Sequence, residues 1–268
     1  PCRHTCPTGQ NVEGYLKAMS HENPNEAIAR ILDTNPFPGT TGAICDHPCQ
    51  TKCTRINYDN PIRIRDIKFA ATSFAKNLPD LEPEDRNGLS VAVIGAGPSG
   101  LSAAWFLNLK GFEVDVYESR EMPGGMVSDT IPPFRITNDD IDSDIQRMTD
   151  AGIKIHFGRP VDGLLFQSLY REYDYIYIAT GAPLPRKLNI VGEDTEGVID
   201  QLAFLRKVKQ GRDFDTGKNV IVIGGGNSAM DAARAAQRIL PEGGTVTICY
   251  RRTAAEMPAD REEIERAR

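Results

Sequence analysis

A chain of 268 residues with 25% charged and 40% hydrophobic side chains has the make-up of an ordinary globular protein of about two domains. Its formal net charge of -6 offers no basic face to a nucleic acid, and no apolar run approaches the ~20 residues of a membrane-spanning helix. Pro1-Cys2 is neither an initiator methionine nor part of a signal-like stretch, and Glu262-Glu263-Ile264-Glu265-Arg266 reads as the opening of a helix. The expectation is a piece of a longer, cytoplasmic chain.

Residues 1–80 lack any strand pattern. Val12, Tyr15, Leu16 and Met19 form a helical stripe. Asn25 can cap a second helix carrying Ala27, Ile28, Ile31 and Leu32, and Ile64, Ile67, Ala71 and Phe74 suggest another. Five of the six cysteines fall in this segment, as Cys2-x3-Cys6-Pro7 and Cys45-x3-Cys49-x3-Cys53. In an intracellular enzyme such clusters serve metal or redox chemistry, and Cys-Pro recurs in iron–sulfur ligand runs. Zinc sites more often use C-x2-C pairs, so zinc and free thiols stay open as alternatives. His47 lies inside the second run as a further candidate ligand, and Cys249, in a later strand, reads as a core thiol.

A polar linker, Asp80–Gly88, precedes a change of style. Leu89–Ile94 is a buried strand, and Gly95-Ala96-Gly97-Pro98-Ser99-Gly100 fits G-x-G-x-x-G at the start of the helix Leu101–Leu109. The three glycines permit a tight turn, close approach of a pyrophosphate, and close helix packing. Phosphates then meet free N–H groups at the helix N-terminus. The next strand, Val114–Tyr117, ends at Glu118, where a carboxylate can hold both ribose hydroxyls. Gly124-Gly125-Met126 and Ala179-Thr180-Gly181-Ala182, after the strand Tyr175–Ile178, are further places for close backbone approach. In combination they resemble the FAD domain of two-dinucleotide-binding flavoproteins.

The pattern then repeats. Val220–Ile223 leads into Gly224-Gly225-Gly226-Asn227-Ser228-Ala229, a helix, and the strand Val246–Tyr250. Here Arg251-Arg252 replaces the acid. A carboxylate would repel a 2′-phosphate, whereas guanidinium groups grip it, so this site should take NADPH rather than NADH. Alternating strands and helices predict parallel sheets, hence an α/β protein. It would carry two Rossmann-like dinucleotide-binding domains, at 88–187 and 188–268, behind a small α-helical domain at 1–80.

Taken in order, Cys2-x3-Cys6-Pro7, Gly42–Cys45, Gly95–Gly100, Ile131-Pro132-Pro133-Phe134-Arg135, Ala179–Ala182, Gly224–Asp231, and Tyr250-Arg251-Arg252 with Met257-Pro258-Ala259 resemble one family over essentially the whole chain. It is that of the small (beta) subunit of NADPH-dependent glutamate synthase. The N-terminal half of dihydropyrimidine dehydrogenase and the large subunit of NADH-dependent ferredoxin:NADP oxidoreductase are relatives. Cys45–Cys49 with Cys53-Thr54-Arg55 and Tyr58-Asp59 look closest to its selenate reductase-like branch. The resemblance implies an oxidoreductase passing electrons from NADPH to FAD and on through [4Fe-4S] clusters to a further domain or subunit. Gly95, Gly97, Pro98, Ser99, Gly100, Glu118, Gly125, Met126, Arg135, Thr180 and Gly181 would hold FAD. Gly224, Gly226, Asn227, Ser228, Arg251 and Arg252 would hold NADPH. Cys6, Cys45 and Cys49 would serve one cluster, and Cys2 and Cys53 another completed from upstream. Lys68 stands where relatives carry a Glu or Gln ligand. The family's final FAD segment would follow this chain.

No acid–base dyad is required, and no catalytic side chain is expected. A flavin disulfide reductase would need a redox cysteine pair beside the flavin, and the second half carries only Cys249. A module that binds nucleotide and cluster without turning over is the alternative from another class.

Overall fold

The computed structural model describes residues 1–76, 83–212 and 215–268. The chain divides into two compact units, Pro1–Ser128 with Arg135–Gly181, and Asp129–Phe134 with Ala182–Arg268.

The first unit opens with six helices: α1 (Cys2–Thr5), α2 (Val12–Ser20), α3 (Pro24–Leu32), α4 (Pro38–Ile44), α5 (Pro48–Thr51) and α6 (Ile64–Phe74). Asn11 caps α2 by accepting the Gly14 N–H, and Asn23 caps α3 by accepting that of Glu26. The cap of α3 is therefore Asn23 and not Asn25. Pro24 takes the first helical position, where a missing N–H is harmless, and so fixes the start upstream. Asn25 instead accepts the Lys76 N–H at 3.0 Å. Val12, Tyr15 and Ala18 meet Ala27, Ile28, Ile31 and Leu32 from α3, and Ile64 and Ala71 from α6, in one core that includes Cys49. Each large aliphatic side chain buried there contributes ~1.5–3 kcal/mol. The inner face of α6 is only partly the expected apolar stripe. Ile64, Arg65, Lys68 and Ala71 are buried, while Phe74 is 65% exposed. Two cations on a buried face require anionic company.

The same unit continues with β1 (Ser90–Ile94), α7 (Pro98–Leu109), β2 (Glu113–Tyr117), α8 (Met126–Asp129), α9 (Asn138–Asp150), β3 (Lys154–His156), α10 (Gly163–Glu172) and β4 (Tyr175–Ile178). The strands form a parallel sheet in the order β3-β2-β1-β4, with Val91 level with Val114 and Tyr175. Val91, Ala92, Val93 and Ile94 are all buried, the continuous run expected of a central strand covered on both faces. Of the expected linker, Asp80–Glu82 lie outside the described residues. Beyond them the segment is anchored, because Glu84 and Asn87 donate to the carbonyls of Leu109 and Gly111.

The second unit holds α11 (Gln201–Lys209), β5 (Asn219–Ile223), α12 (Asn227–Ile239), β6 (Thr245–Cys249) and α13 (Arg261–Arg266). β5 and β6 pair in parallel. Strand alternation turns Val222 and Ile248 toward the alanine-rich inner face of α12, and Ile221, Ile223 and Cys249 the other way. Cys249 is consequently exposed and is not the core thiol that the sequence suggested. No helix among the described residues is long and apolar enough to cross a membrane.

Candidate functional site

Three sites can be built from these elements. At the first, Gly95 ends β1 with φ +108°, and a Cβ there would lie 2.4 Å from the Ala179 carbonyl oxygen. A Cβ on Gly100 would lie 1.9 Å from the Gly95 carbonyl oxygen. Both positions therefore exclude any larger residue. At Gly97 a Cβ would meet only the Gly125 Cα, at 3.8 Å, so its absence leaves a cradle open above α7. The first bond of α7 runs from the Leu101 N–H to the Gly97 oxygen, which leaves the Ser99 and Gly100 N–H groups at the helix mouth. This is an anion site in form. Ser99 Oγ lies 3.2 Å from the Tyr177 hydroxyl.

Glu118 does something its position in the sequence does not reveal. Its carboxylate is buried and accepts the Ala96 N–H at 2.8 Å and the Arg120 N–H at 3.0 Å. It thus pins the turn of the phosphate loop, with lone pairs left over for a ribose. Gly125 comes close to Gly97, Thr180 and Gly181 follow β4 after Ala179, and Met126 opens α8. Arg135 is half-buried in the same unit.

At the second site Gly224 has φ +142°, and a Cβ on Gly226 would meet nothing within 4 Å, which gives the same open cradle. α12 begins its bonding with Ala229 N–H to Gly226 O, leaving the Ser228 N–H at its mouth. Asn227 Oδ1 accepts the Asp260 N–H at 2.8 Å, fixing the Met257–Asp260 segment beside the loop. Arg251 and Arg252 follow β6, are exposed, and have no partner among the described residues. The two glycine loops thus face opposite charges at the ends of their second strands.

The third site lies in the helical segment. Cys6 follows α1, Cys45 ends α4, and Cys49 sits in α5. These thiols act electrostatically on one another and on Lys68. Burial raises the Cys6 thiol, but hydrogen bonds from Thr8 and the Gln10 backbone, with the Lys68 charge, outweigh it and hold Cys6 below its usual range. Thr8 Oγ1 is 3.4 Å from Cys6 Sγ. Burial, reinforced by Cys45 and Cys6, pushes Cys49 up to about 11. His47 takes a left-handed conformation, φ +38°, that aims its N–H at Cys45 Sγ, 3.4 Å away. Arg65 donates to the Cys45 carbonyl at 3.1 Å. Cys2 Sγ donates to Glu13, and Cys53 is half-buried.

The donors fit an iron–sulfur cluster better than a zinc ion. Tetrahedral zinc with bonds of about 2.3 Å needs sulfurs about 3.8 Å apart. No three of the cysteine sulfurs lie within 4.8 Å of one another. The cysteines have N–H donors and buried cations near them, which suits a larger anionic group.

Phosphate loops in tandem with a cysteine cradle define a flavin- and nicotinamide-dependent electron-transfer oxidoreductase. The chain belongs to the pyridine nucleotide-disulphide oxidoreductase family, which matches residues 89–267. Residues 1–78 match the 4Fe-4S cluster domain II of dihydropyrimidine dehydrogenase. FAD, a nicotinamide nucleotide and a 4Fe-4S cluster are the cofactors of these two families. The chain is 38% identical, over its whole length, to 26% of the oxidoreductase YgfK of Escherichia coli K12. It is 33% identical, again over its whole length, to 41% of the NADPH-Fe(3+) oxidoreductase subunit beta of Geobacter sulfurreducens. It therefore spans well under half of these curated relatives. Glutamate synthase [NADH] of Schizosaccharomyces pombe is 32% identical over 84% of the chain, which covers 12% of that protein. Among solved structures, Mycobacterium tuberculosis FprA in complex with NADPH superposes with a TM-score of 0.57 at 24% identity, over 65% of this chain and 46% of FprA. That similarity establishes the fold.

Proposed function

We propose that this chain passes electrons from NADPH to FAD and then singly through a [4Fe-4S] cluster to a further domain or subunit. In this reading residues 1–80 hold the cluster, 88–187 the FAD and 188–268 the NADPH. When bound, NADPH supplies a hydride and the flavin splits that pair into single electrons. The chain's own residues bind and orient. Gly95, Gly97, Pro98, Ser99, Gly100, Gly125, Met126, Arg135, Thr180 and Gly181 receive the flavin nucleotide, with Glu118 on its ribose. Gly224, Gly226, Asn227 and Ser228 receive the second pyrophosphate. Cys6, Cys45 and Cys49 ligate one cluster, and Cys2 and Cys53 are left for a second.

The observation that carries this reading is the contrast between buried, loop-bound Glu118 and the exposed, unpaired Arg251-Arg252 pair at the equivalent strand end. It selects a 2′-phosphate at the second loop. The Geobacter relative, named as a subunit that uses NADPH, supports both the nucleotide and the need for a partner. The exposed, solitary Cys249 in the second unit supports a one-electron exit over disulfide chemistry. The test is rapid mixing of the flavin-loaded, full-length protein with NADPH and, separately, with NADH. Flavin bleaching that is faster with NADPH is expected. No bleaching with either nucleotide would overturn the reading.

A further inference from the structure

Two largely buried residues of the helical core end in polar groups that make no hydrogen bond. Lys68 is 5% exposed and Tyr15 1% exposed. Among the described residues the Lys68 ammonium has no hydrogen bond or ion pair, and the Tyr15 hydroxyl no hydrogen bond. Burial works against the charged form of Lys68, and the neighbouring Cys45, Cys6 and Cys49 work for it; burial, with the same three cysteines, holds Tyr15 neutral. Their placement is enforced. The first turn of α6 is tied to the cysteine loop, because the Arg65 N–H meets Gln50 Oε1 at 3.0 Å and its guanidinium meets the Cys45 carbonyl at 3.1 Å. Lys68 follows one turn later on the same buried face.

We propose that Lys68 faces the cluster held by Cys6, Cys45 and Cys49 as a non-ligating cation and raises its reduction potential. An ammonium has no lone pair for iron, so it cannot be a fourth ligand. A buried cation without a partner is unfavourable, as is an anionic cluster in an apolar core, and each is compensated only when both are present. Every electron that enters the cluster adds one negative charge. A fixed cation in a low-dielectric pocket stabilises that form over the oxidised one.

The inference rests on the cluster assignment, so iron and sulfide are measured first in full-length wild-type protein. A wild-type protein lacking both would refute the assignment itself. The test is a redox titration of wild type, Lys68→Met and Lys68→Arg, followed by electron paramagnetic resonance of the reduced cluster. Methionine fills similar volume without charge, and arginine keeps the charge. A loaded K68M with a midpoint shifted negative supports the proposal. So does a K68M that loads no cluster while K68R loads and retains the wild-type midpoint. A loaded K68M at the wild-type midpoint overturns it, as does failure of both variants to load. Strong hyperfine coupling to nitrogen in protein labelled with 15N-lysine would also overturn it, by showing direct ligation.

Discussion

Asp144 is the residue through which the cysteine segment and the first sheet domain hold each other. Its fully buried carboxylate accepts the Gly39 N–H at 3.2 Å and the Thr40 N–H at 2.8 Å, in the first turn of α4. It also meets Arg147 Nη2 at 2.9 Å, and Arg147 Nη1 donates to the Pro36 carbonyl at 3.0 Å. The far end of α4 is capped by Cys45. Asp144→Ala would orphan two buried N–H donors and strand a guanidinium that is only 11% exposed. An unpaired buried donor costs about 1–3 kcal/mol, and breaking a buried ion pair about 3–5. These losses overlap, so the expected destabilisation is about 3–5 kcal/mol. Burial raises the Asp144 carboxyl above its ordinary value, opposed by the Thr40 N–H and Arg147, so its charge is held at a cost. Asn still removes the charge opposite Arg147 but keeps one acceptor oxygen, so it should cost less than Ala by about the 1–3 kcal/mol of the donor it continues to satisfy. The assay is urea unfolding followed by Trp105, the single tryptophan, which is 1% exposed. Iron release from loaded protein, measured in parallel, should be faster in D144A than in D144N. A D144A protein within about 1 kcal/mol of wild type would refute the clamp.

Three further outcomes are expected. Replacing both Arg251 and Arg252 with Ala should weaken NADPH binding by about 10–100-fold for each charge-assisted hydrogen bond removed, and leave NADH binding nearly unchanged. Equal weakening for the two nucleotides in a titration would count against a 2′-phosphate site. Gly100→Ala places a Cβ 1.9 Å from the Gly95 carbonyl, so the protein should purify without flavin absorbance. Stoichiometric flavin in that variant would mean the loop is not the FAD cradle. Glu263 is 2% exposed and pairs with Arg234, itself 12% exposed, so Glu263→Ala should destabilise the second unit by about 3–5 kcal/mol. Wild-type resistance to limited proteolysis at α12 would contradict that.

Much of this was legible from local chemistry. The phosphate loops announce themselves because three glycines, a strand and a helix occur within about 20 residues and each has a separate steric task. Helix α9 escaped, although Thr137 and Asp140 form a capping box that marks its start. Strand β3, at three residues, is too short for any periodicity to register. The inner face of α6 misled for a different reason. Of the expected stripe, Ile64 and Ala71 do enter the core, but that core also contains a thiol, and the helix turns Arg65 and Lys68 inward beside them and Phe74 out. Hydrophobic spacing cannot report which side chains the opposing surface carries. Cys249 misled similarly, since a two-stranded sheet covered by α12 on one side leaves alternate residues exposed.

The three sites share one electrostatic logic. In the proposed reading a neutral ribose hydroxyl pair would meet Glu118, whose carboxylate already accepts two N–H groups of its own loop. The phosphate dianion proposed for the second loop would call for guanidinium groups, and Arg251 and Arg252 are exposed. An anionic cluster enclosed by protein calls for cations that are enclosed too, and Arg65 and Lys68 are buried. Exposure of the counter-charge thus follows the exposure of the group it meets. On the proposed assignments Lys68 would serve a cofactor that stays, and Arg251-Arg252 one that comes and goes.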